Sequence, residues 1–309
     1  MQKMEKRLDL IIIGAGMAGL TAAIYASRAK ISTLVLEDEL IGGQVREAYS
    51  IENYPGFINI SGEELTERLQ KQARETGAEI DEFDKIKTVI LTDKEKIIET
   101  DSFIYKPSAV ILATGSRRIK LPVPEERKFH GRGIHYCETC DGSLYLGKHL
   151  VVIGGGNSAV GSIKFLSKYA EKITLIHKGD KLKADKKNQD EVLKNPKVTV
   201  ILNSVVIHAN GDSKLEFLTI ENIMTKEITE LKADGVFSYI GFAPRTELYR
   251  DYIKLNGNGN IEAGENCETN IKGVFAAGDV RTKRYHQLTT ASSDGTVAAL
   301  MAEEYILSK

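Results

Sequence analysis

Residues 8–19 read LDLIIIGAGMAG, and this stretch decides the fold class. Residues 8–13 are mostly apolar, which predicts a buried strand, and a glycine-rich turn and a helical segment to about residue 29 follow. Residues 31–36 predict a second strand, which ends at Glu37. Strand, glycine turn, helix and strand in this order indicate the βαβ unit of a dinucleotide-binding domain.

Each glycine of this turn has a physical task. Gly14 allows the sharp turn, Gly16 lets the backbone approach a pyrophosphate at the helix N-terminus, and Gly19 lets the helix pack closely on the strand. Glu37 can accept hydrogen bonds from ribose hydroxyls, and its charge disfavours a 2'-phosphate. The predicted ligand-binding residues of the first loop are Gly14, Gly16, Met17, Ala18 and Gly19.

The same pattern occurs a second time. Residues 149–153 are apolar, residues 154–159 read GGGNSA, and a helix to about residue 169 and a strand at residues 173–177 follow. The repeated βαβ pattern predicts a second dinucleotide-binding domain. The predicted ligand-binding residues of the second loop are Gly154, Gly156, Asn157, Ser158 and Ala159.

The order of the remaining segments predicts that one domain is nested inside the other. A chain of 309 residues is longer than one hydrophobic core usually serves. We predict an α/β protein with two nested Rossmann-like dinucleotide-binding domains of the three-layer ββα type. Residues 1–116 and 245–309 form the first domain, and residues 117–244 form the second. Further predicted elements are an amphipathic helix at 62–76, a strand pair within 86–98, strands at 109–113, 235–240 and 274–277, and a helix at 287–307.

Charge and composition exclude several classes of partner. The formal net charge of -1 gives no reason to expect a nucleic acid or an anionic membrane. Residues 10–27 carry no charge and leave a signal peptide or membrane helix as an alternative, but their length is at the short end of a membrane span and their glycines have the spacing of a dinucleotide loop. We expect a cytoplasmic protein.

Three cysteines are too few for a disulfide scaffold. Cys137 and Cys140 form a C-x-x-C, whose two intervening residues let the sulfurs reach disulfide distance. A zinc half-site with His135 as third ligand and a pair of inert buried thiols are the alternatives, but zinc needs further N or S ligands, so we expect no metal site. Cys267 has no partner in the sequence pattern, and for His130 and His135 we favour a structural role.

The segment YCETCDG at residues 136–142 resembles the active-site signature of low-molecular-weight thioredoxin reductases, the class II type of FAD-dependent pyridine nucleotide-disulfide oxidoreductase. The family pattern covers nearly the whole chain in the same order. The resemblance implies that Cys140 lies against the flavin, that Cys137 attacks the substrate disulfide and that Asp141 is the general acid-base. It also implies a homodimer that reduces thioredoxin or a thioredoxin-like protein.

Further segments resemble the FAD contacts of this family, which implies that residues 1–116 and 245–309 form an FAD-binding domain and that residues 117–244 form an NAD(P)H-binding-like domain that carries the C-x-x-C. The aspartate that matches Asp279 meets the ribityl chain there, and the stretch at residues 286–288 resembles an Arg-Gln-Ala near the isoalloxazine, with His286 in place of the arginine. The FAD-binding residues implied by resemblance are Gly43, Gln44, Asn53, Ala113, Thr114, Gly115, Gly278, Asp279, His286, Gln287 and Leu288.

The second loop departs from the family pattern. Two acids usually follow this loop, and this chain has Gly161 and Ser162. NADPH-using members carry His-Arg-Arg at the next strand end and another arginine four residues beyond, where this chain has HKG at 177–179 and Lys183. Lys178 is the predicted contact here, but lysine lacks the two parallel bonds that arginine makes to a phosphate, and losing such a bond costs roughly 1.5–3 kcal/mol.

The donor and the activity therefore keep alternatives. No acid occupies the strand end where an NAD site usually has one, so neither NADPH nor NADH is well supported. The donor stays open between NADPH and, given the missing arginines, ferredoxin or another flavin source, and we hypothesise that the chain has lost NADPH use. At the inner domain NADPH, NADH or a second nucleotide or flavin stays open. A flavin oxidase or peroxide-linked flavoprotein and a non-catalytic flavin-binding redox sensor are the alternative functions.

Overall fold

The computed structural model describes residues 3–48 and 51–309. The chain divides into two compact units, Met1–Arg117 with Ala243–Lys309 and Arg118–Phe242. These bounds differ by one or two residues from the boundaries expected from the sequence, and residues 1, 2, 49 and 50 of the expected first domain lie outside the described residues. Which cofactor each unit binds stays a prediction.

Strands and helices alternate within residues 4–81 and 126–201, and strands follow one another elsewhere until the last helix. The strands are β1 (Met4–Ile13), β2 (Thr33–Leu36), β3 (Glu79–Asp81), β4 (Ile86–Leu91), β5 (Lys96–Thr100), β6 (Phe103–Leu112), β7 (Ser116–Arg118), β8 (Ile134–His135), β9 (His149–Ile153), β10 (Lys172–Ile176), β11 (Val198–Ile201), β12 (Ser204–Asn210), β13 (Phe217–Asn222), β14 (Ile228–Lys232), β15 (Gly235–Ser238), β16 (Phe242–Pro244) and β17 (Val274–Ala276). The α-helices are α1 (Met17–Arg28), α2 (Gly62–Thr76), α3 (Glu126–Phe129), α4 (Glu138–Asp141), α5 (Asn157–Leu166), α6 (Lys186–Leu193) and α7 (Leu288–Leu307). Short 3-10 turns lie at Gly43–Glu47, Gly142–Tyr145 and Gly278–Val280.

The first unit contains a sheet in the order β3-β2-β1-β6-β5-β4, with β17 paired to β6. β1 is parallel to both β2 and β6, as a βαβ unit requires. β6 pairs with β5 through its first half and with β17 through its second half, at Val110–Leu112 in the β6 register. The predicted strand pair within residues 86–98 is therefore confirmed as β4 and β5, which extend this sheet.

The second unit contains a parallel sheet in the order β11-β10-β9-β15-β8 and a separate antiparallel sheet of β12, β13 and β14. β9, β10 and the helix α5 between them form the second βαβ unit that the sequence predicted. The antiparallel sheet follows β11 and buries one side of β12 and β13. We did not predict this sheet from the sequence.

The helices cover the sheets with their apolar sides. α1 is buried along nearly all of its length, because its small residues pack between the first sheet and α7. α2 begins after Ser61, whose side chain accepts a hydrogen bond from the Glu64 N–H, and ends at Gly77 in the left-handed conformation. The predicted amphipathic helix at residues 62–76 is confirmed. Within residues 3–48 and 51–309, every helix is too short or too polar to cross a bilayer.

Candidate active site and cofactor loops

The first glycine loop is tightly packed at its first and third glycines. Gly14 has a φ of +104°, and a Cβ at this position would lie 2.4 Å from the carbonyl oxygen of Ala113. A Cβ at Gly19 would lie 1.8 Å from the carbonyl oxygen of Gly14. Both glycines are therefore required by the packing of α1 on the turn and on the end of β6.

The middle glycine faces open space. A Cβ on Gly16 would meet no heavy atom of the described residues within 4 Å, beyond its own chain neighbours, and Gly16 precedes the first turn of α1. Gly43 approaches the same place, since a Cβ on it would lie 3.7 Å from the Gly16 Cα. Met17 and Ala18 are buried beneath the loop. This open volume at a helix N-terminus fits the pyrophosphate of a dinucleotide.

Glu37 has a role within the loop that sequence reasoning did not anticipate. Its Oε2 accepts a hydrogen bond of 2.8 Å from the N–H of Ala15, and its Oε1 accepts one of 2.9 Å from the N–H of Glu39. Burial raises the pKa of Glu37, and these two hydrogen bonds oppose that increase. Each oxygen keeps a second lone pair, so the carboxylate can still accept from ribose hydroxyls.

The segment that resembles the ribityl contact lies beside the same loop. A Cβ on Gly278 would lie 3.0 Å from the Cβ of Ala18. The Oδ1 atom of Asp279 is buried and has no hydrogen-bond partner among the described residues. The Nδ1 atom of His286 lies 3.3 Å from this oxygen, but the contact does not have the geometry of a hydrogen bond. Because a buried acceptor without a donor is costly, Asp279 fits a ligand that brings a hydroxyl group.

Two predicted FAD-binding amides already have protein partners. The Nε2 of Gln44 donates to the carbonyl oxygen of Ser116 at 2.6 Å and to its Oγ at 3.0 Å. The Nδ2 of Asn53 donates to the Oε1 of Gln287 at 3.3 Å. The structure thus brings Asn53 and Gln287 together, and both amides keep hydrogen-bonding atoms for a ligand.

The end of β6 leads into a turn in which Gly115 faces open space. Thr114 donates its hydroxyl to the carbonyl oxygen of Arg245 at 2.8 Å, and Gly115 has a φ of +62°. A Cβ on Gly115 would contact nothing within 4 Å in the described chain outside its neighbours. Ala113 is buried, and Leu288 packs against the core at the start of α7.

Asp294 supports this region and was missed by sequence reasoning. It is buried on α7, and its carboxylate accepts hydrogen bonds from Arg281 at 2.7 Å, from Lys283 at 2.8 Å and from the N–H of Gly278 at 3.0 Å. Burial alone would raise the pKa of Asp294, but the hydrogen bonds from Arg281 and Lys283 hold it below its usual value. An acid within the small-residue sequence of α7 is the signal that could have identified it.

The second glycine loop repeats the turn geometry of the first. Gly154 has a φ of +140°, and a Cβ on it would lie 2.5 Å from the carbonyl oxygen of Tyr239. Gly156 lies directly before α5. A Cβ on it would meet no heavy atom of the described residues within 4 Å, beyond its own chain neighbours. The second loop therefore also leaves room for a pyrophosphate.

Three predicted contacts of the second loop are placed differently from those of the first. Asn157 donates to Asp185 at 3.0 Å and accepts from the Asp185 N–H at 2.8 Å, so its side-chain amide already has a partner. Ala159 is fully buried, and its Cβ would lie 2.9 Å from a Cβ on Gly154. Ser158 is exposed. Asn157 and Ser158 are therefore exposed to solvent, whereas Ala159 is not.

The strand end after β10 carries a buried histidine. His177 packs so closely on the loop that a Cβ on Gly155 would lie 2.4 Å from its Nδ1, and a Cβ on Gly179 would lie 2.8 Å from its Nε2. That Nε2 is buried without a hydrogen-bond partner in the part of the chain that the structure describes. Burial, with Lys183 and Lys178, lowers the pKa of His177. Lys178 is exposed, as a phosphate contact requires.

The positions where the family carries two acids also differ in environment. Gly161 is exposed on α5, whereas Ser162 is buried and donates to the carbonyl oxygen of Ala159 at 2.8 Å. The acidic pair is therefore replaced by a residue without a side chain and by a hydroxyl that is used inside the helix.

Cys137 and Cys140 form a disulfide at the start of the short helix α4. The Sγ of Cys137 accepts a hydrogen bond of 3.2 Å from the N–H of Cys140. Between them, Glu138 accepts a hydrogen bond of 2.5 Å from the hydroxyl of Tyr239. Burial, together with Glu138, raises the pKa of Tyr239, so this hydroxyl stays a donor.

Asp141 follows the disulfide and contacts a histidine. Its Oδ2 lies 3.2 Å from the Nδ1 of His135, and the Nε2 of His135 lies 2.7 Å from the hydroxyl oxygen of Tyr145. The structural role favoured for His135 from the sequence stays a prediction, and the structure places this residue against the predicted acid-base. Cys267 is buried in the other unit, where burial raises its pKa to about 11, and we assign it no chemical role.

Comparisons with known proteins agree with this geometry. The family model described as pyridine nucleotide-disulphide oxidoreductase matches residues 8–295. A "34.2 kDa protein in rubredoxin operon" of Clostridium pasteurianum is 59% identical over 98% of this chain and 99% of its own length. Thioredoxin reductase of Bacillus subtilis is 42% identical over 98% of this chain and 96% of its own.

Solved structures give the same result. Thioredoxin reductase of Lactococcus lactis superposes with a TM-score of 0.93 at 35% identity, covering 98% of this chain and 100% of that one. A ferredoxin-flavin thioredoxin reductase from Clostridium acetobutylicum has a TM-score of 0.54 at 32% identity, covering 99% and 100%. The chain therefore belongs to the pyridine nucleotide-disulphide oxidoreductase family and is an FAD-dependent oxidoreductase of the low-molecular-weight thioredoxin reductase type.

Proposed function

We propose that this protein passes electrons from a donor through FAD and the Cys137–Cys140 pair to the disulfide of thioredoxin or a thioredoxin-like protein. The observation that carries the proposal is the disulfide at the start of α4 with Asp141 directly after it, in a chain of this family. A cytoplasmic homodimer is part of the proposal and rests on the family resemblance.

The first unit has the features needed to hold FAD. Gly16 leaves space for the pyrophosphate, Glu37 keeps free lone pairs for the ribose, and the buried Oδ1 of Asp279 lacks a donor that a ribityl hydroxyl can supply. When bound, FAD supplies the two electrons that reduce the Cys137–Cys140 disulfide.

The protein's own residues then carry out a thiol-disulfide exchange. The Cys137 thiol loses its proton to Asp141, and the thiolate attacks one sulfur of the substrate disulfide, which releases the other sulfur as a thiolate. Cys140 attacks Cys137 in the mixed disulfide, which restores the enzyme disulfide and releases the second substrate thiol. The two electrons leave with the substrate's dithiol.

For the electron donor we propose a carrier other than a pyridine nucleotide, with ferredoxin as the first candidate. Lys178 offers a point charge where NADPH-using members have an arginine, Gly179 offers no side chain, and Gly161 and Ser162 replace the acidic pair. The likeness to a ferredoxin-flavin thioredoxin reductase and to a protein of a rubredoxin operon supports this choice. The open space at Gly156 supports the opposite choice, a bound nucleotide.

The decisive experiment is an anaerobic spectral titration of the FAD-loaded protein with NADPH, NADH and reduced ferredoxin, each added separately. We expect bleaching of the flavin by stoichiometric ferredoxin and little bleaching by micromolar nucleotide. Efficient bleaching by micromolar NADPH would overturn the donor proposal and leave the disulfide-reductase proposal intact.

The disulfide step has its own test. We expect the Cys137→Ser and Cys140→Ser variants to keep FAD but to lose thioredoxin reduction by at least three orders of magnitude, because each sulfur is needed for the exchange. Rapid oxygen consumption that is unchanged in both variants would instead support a flavin oxidase. Bound FAD without any thiol-dependent turnover would support a sensor.

A further inference from the structure

A chain of close polar contacts leads from Asp141 through one histidine to a tyrosine. The Oδ2 of Asp141 lies 3.2 Å from Nδ1 of His135, and Nε2 of the same ring lies 2.7 Å from the hydroxyl oxygen of Tyr145. A neutral imidazole has one donor nitrogen and one acceptor nitrogen, and a carboxylate can only accept. An Nδ1 without a hydrogen would face the Asp141 carboxylate lone pair to lone pair, so the hydrogen lies on Nδ1 and Nε2 accepts the hydroxyl hydrogen of Tyr145.

The environment of the ring holds it in this orientation. His135 is 4% exposed and stacks on Phe237 with ring centroids 5.3 Å apart, while Tyr145 packs edge-on at 5.4 Å. Burial lowers the pKa of His135 and His130 adds to this, whereas Asp141 opposes it. The neutral ring with a fixed tautomer is therefore the state that burial favours.

Tyr145, at the far end of this chain of contacts, is also fixed in place and reaches the surface. Tyr145 packs on Gly235, where a Cβ would lie 2.6 Å from the tyrosine ring. Burial raises the pKa of Tyr145 to about 12, with Asp141 and Asp234 adding to the increase, so the hydroxyl keeps its hydrogen at neutral pH. Tyr145 also lines a surface cavity of about 360 Å³, together with Asp234 and Lys148.

We propose that His135 is a positioning residue that fixes the carboxylate of Asp141, the residue directly after Cys140, and disperses its negative charge. The inference rests on the proposed function, in which Asp141 takes the proton of the attacking thiol. In that step the S–H bond of Cys137 breaks, its proton forms an O–H bond on Asp141, and the S–S bond of the substrate breaks as the mixed disulfide forms. The N–H of His135 stays on its nitrogen and holds the carboxylate in place.

The test is the pH dependence of iodoacetamide alkylation of the FAD-loaded protein after reduction with dithiothreitol. Removing the N–H group in His135→Phe leaves an undispersed negative charge on the residue next to Cys140, so we expect the alkylation midpoint to move up by about half a pH unit. Asp141→Asn removes the charge itself, and we expect its midpoint to move in the opposite direction. A purely structural role for His135 would change the melting temperature without moving the midpoint.

Two further variants and a control sharpen the result. His135→Asn restores an N–H donor near Asp141, and we expect its midpoint to return most of the way to that of the wild type. Tyr145→Phe keeps the ring and removes only the hydroxyl, and we expect a smaller shift in the same direction as His135→Phe. The control is His130→Phe, since His130 is half exposed and pairs with Glu126, and we expect no shift.

The outcomes separate this inference from the function on which it rests. A His135→Phe profile that superimposes on the wild type while Asp141→Asn is displaced overturns the inference alone. If His135→Phe does not fold, an unshifted Tyr145→Phe profile overturns it. Failure of the proposed function would give a different result. The reduced wild-type protein would then be alkylated normally but would not transfer electrons to thioredoxin in a single turnover.

Discussion

In the first glycine loop the helix packs directly on the turn, whereas in the second loop a methyl group lies between helix and turn. A Cβ at Gly19 would lie 1.8 Å from the Gly14 carbonyl oxygen, but the equivalent position of the second loop is Ala159, which is buried there without a clash. The loops therefore share a fold and a glycine pattern but differ in how closely α1 and α5 approach the strand. The closer approach occurs in the loop that we propose binds FAD.

The strand ends after the two loops differ more strongly. Glu37 turns back and accepts two backbone N–H groups, which leaves an anion beside the first loop. His177 packs its neutral ring on Gly155 and stands next to the cationic Lys178 and Lys183. Because the glycine turns are alike and the strand ends carry different charges, the strand-end residue is the one that can distinguish between nucleotides in a Rossmann-like unit.

The largest effect is expected at Asp294, which supports the first unit only. Asp294→Ala leaves Arg281 and Lys283 without their shared partner, and both are nearly buried, so we expect the free energy of unfolding to fall by about 3–5 kcal/mol. Urea unfolding measures this. Glu304→Ala, an exposed change on the same helix, is the control and is expected to stay within about 0.5 kcal/mol of the wild type.

The next effect is at Gly19. The Gly19→Ala variant must displace the Gly14 carbonyl, so we expect a loss of about 1–3 kcal/mol in urea unfolding. The matched control is Gly257→Ala in the same unit, where no described atom beyond the chain neighbours lies within 4 Å of the new Cβ. Equal stability of the two variants would contradict the tight packing of the first loop.

The middle glycines test which loop holds FAD. Gly16→Ala adds a methyl group to open space, so we expect apo stability to be unchanged but FAD to bind about 100-fold more weakly, or about 2.7 kcal/mol. Gly156→Ala makes the same change in the second loop and is expected to keep wild-type FAD affinity. Fluorescence titration of apo protein with FAD measures both, and an equal loss in the two variants would contradict the assignment.

A smaller effect is expected at Lys178. Lys178→Arg introduces a side chain that can bind a 2'-phosphate with two parallel hydrogen bonds, so we expect the NADPH-to-NADH affinity ratio to rise about tenfold. Calorimetric titration measures the ratio. Lys187→Arg, at an exposed position of α6, is the control, and an equal rise there would show a general effect of charge rather than a contact.

The smallest effect is the pH dependence that His177 adds. Its pKa is lowered below the usual 6.5, so the unfolded chain takes up a proton first as the pH falls and stability is lost below about pH 6.5. His177→Gln does not titrate, so its unfolding free energy should fall less between pH 7.5 and 5.5, by about 1 kcal/mol or less. His208→Gln, at an exposed histidine, is the control, and identical pH dependence of His177→Gln and wild type would contradict the burial effect.

Local patterns predicted the fold well where one face of an element is buried. The helix at residues 62–76 was predicted with its ends, because Ser61 and Gly77 are local start and stop signals. The first strand was predicted too short, since Met4–Ile13 continues into exposed residues that are held by pairing with β6. Hydropathy reports burial and carries no information about which strand lies alongside, so the antiparallel sheet of β12–β14 was also missed.

Local sequence patterns were enough to predict the two βαβ units, the C-x-x-C pair and the departures from the NADPH-binding pattern, because each depends on residues only a few positions apart. Only the tertiary structure decided that Asp294 joins Arg281, Lys283 and the Gly278 N–H, and that His177 packs on Gly155. The contact of His135 with Asp141 was likewise not predicted from the sequence, although only six positions separate the two residues. The physical reason is that side-chain contacts depend on chain direction and packing after each turn, which residue type and spacing do not specify.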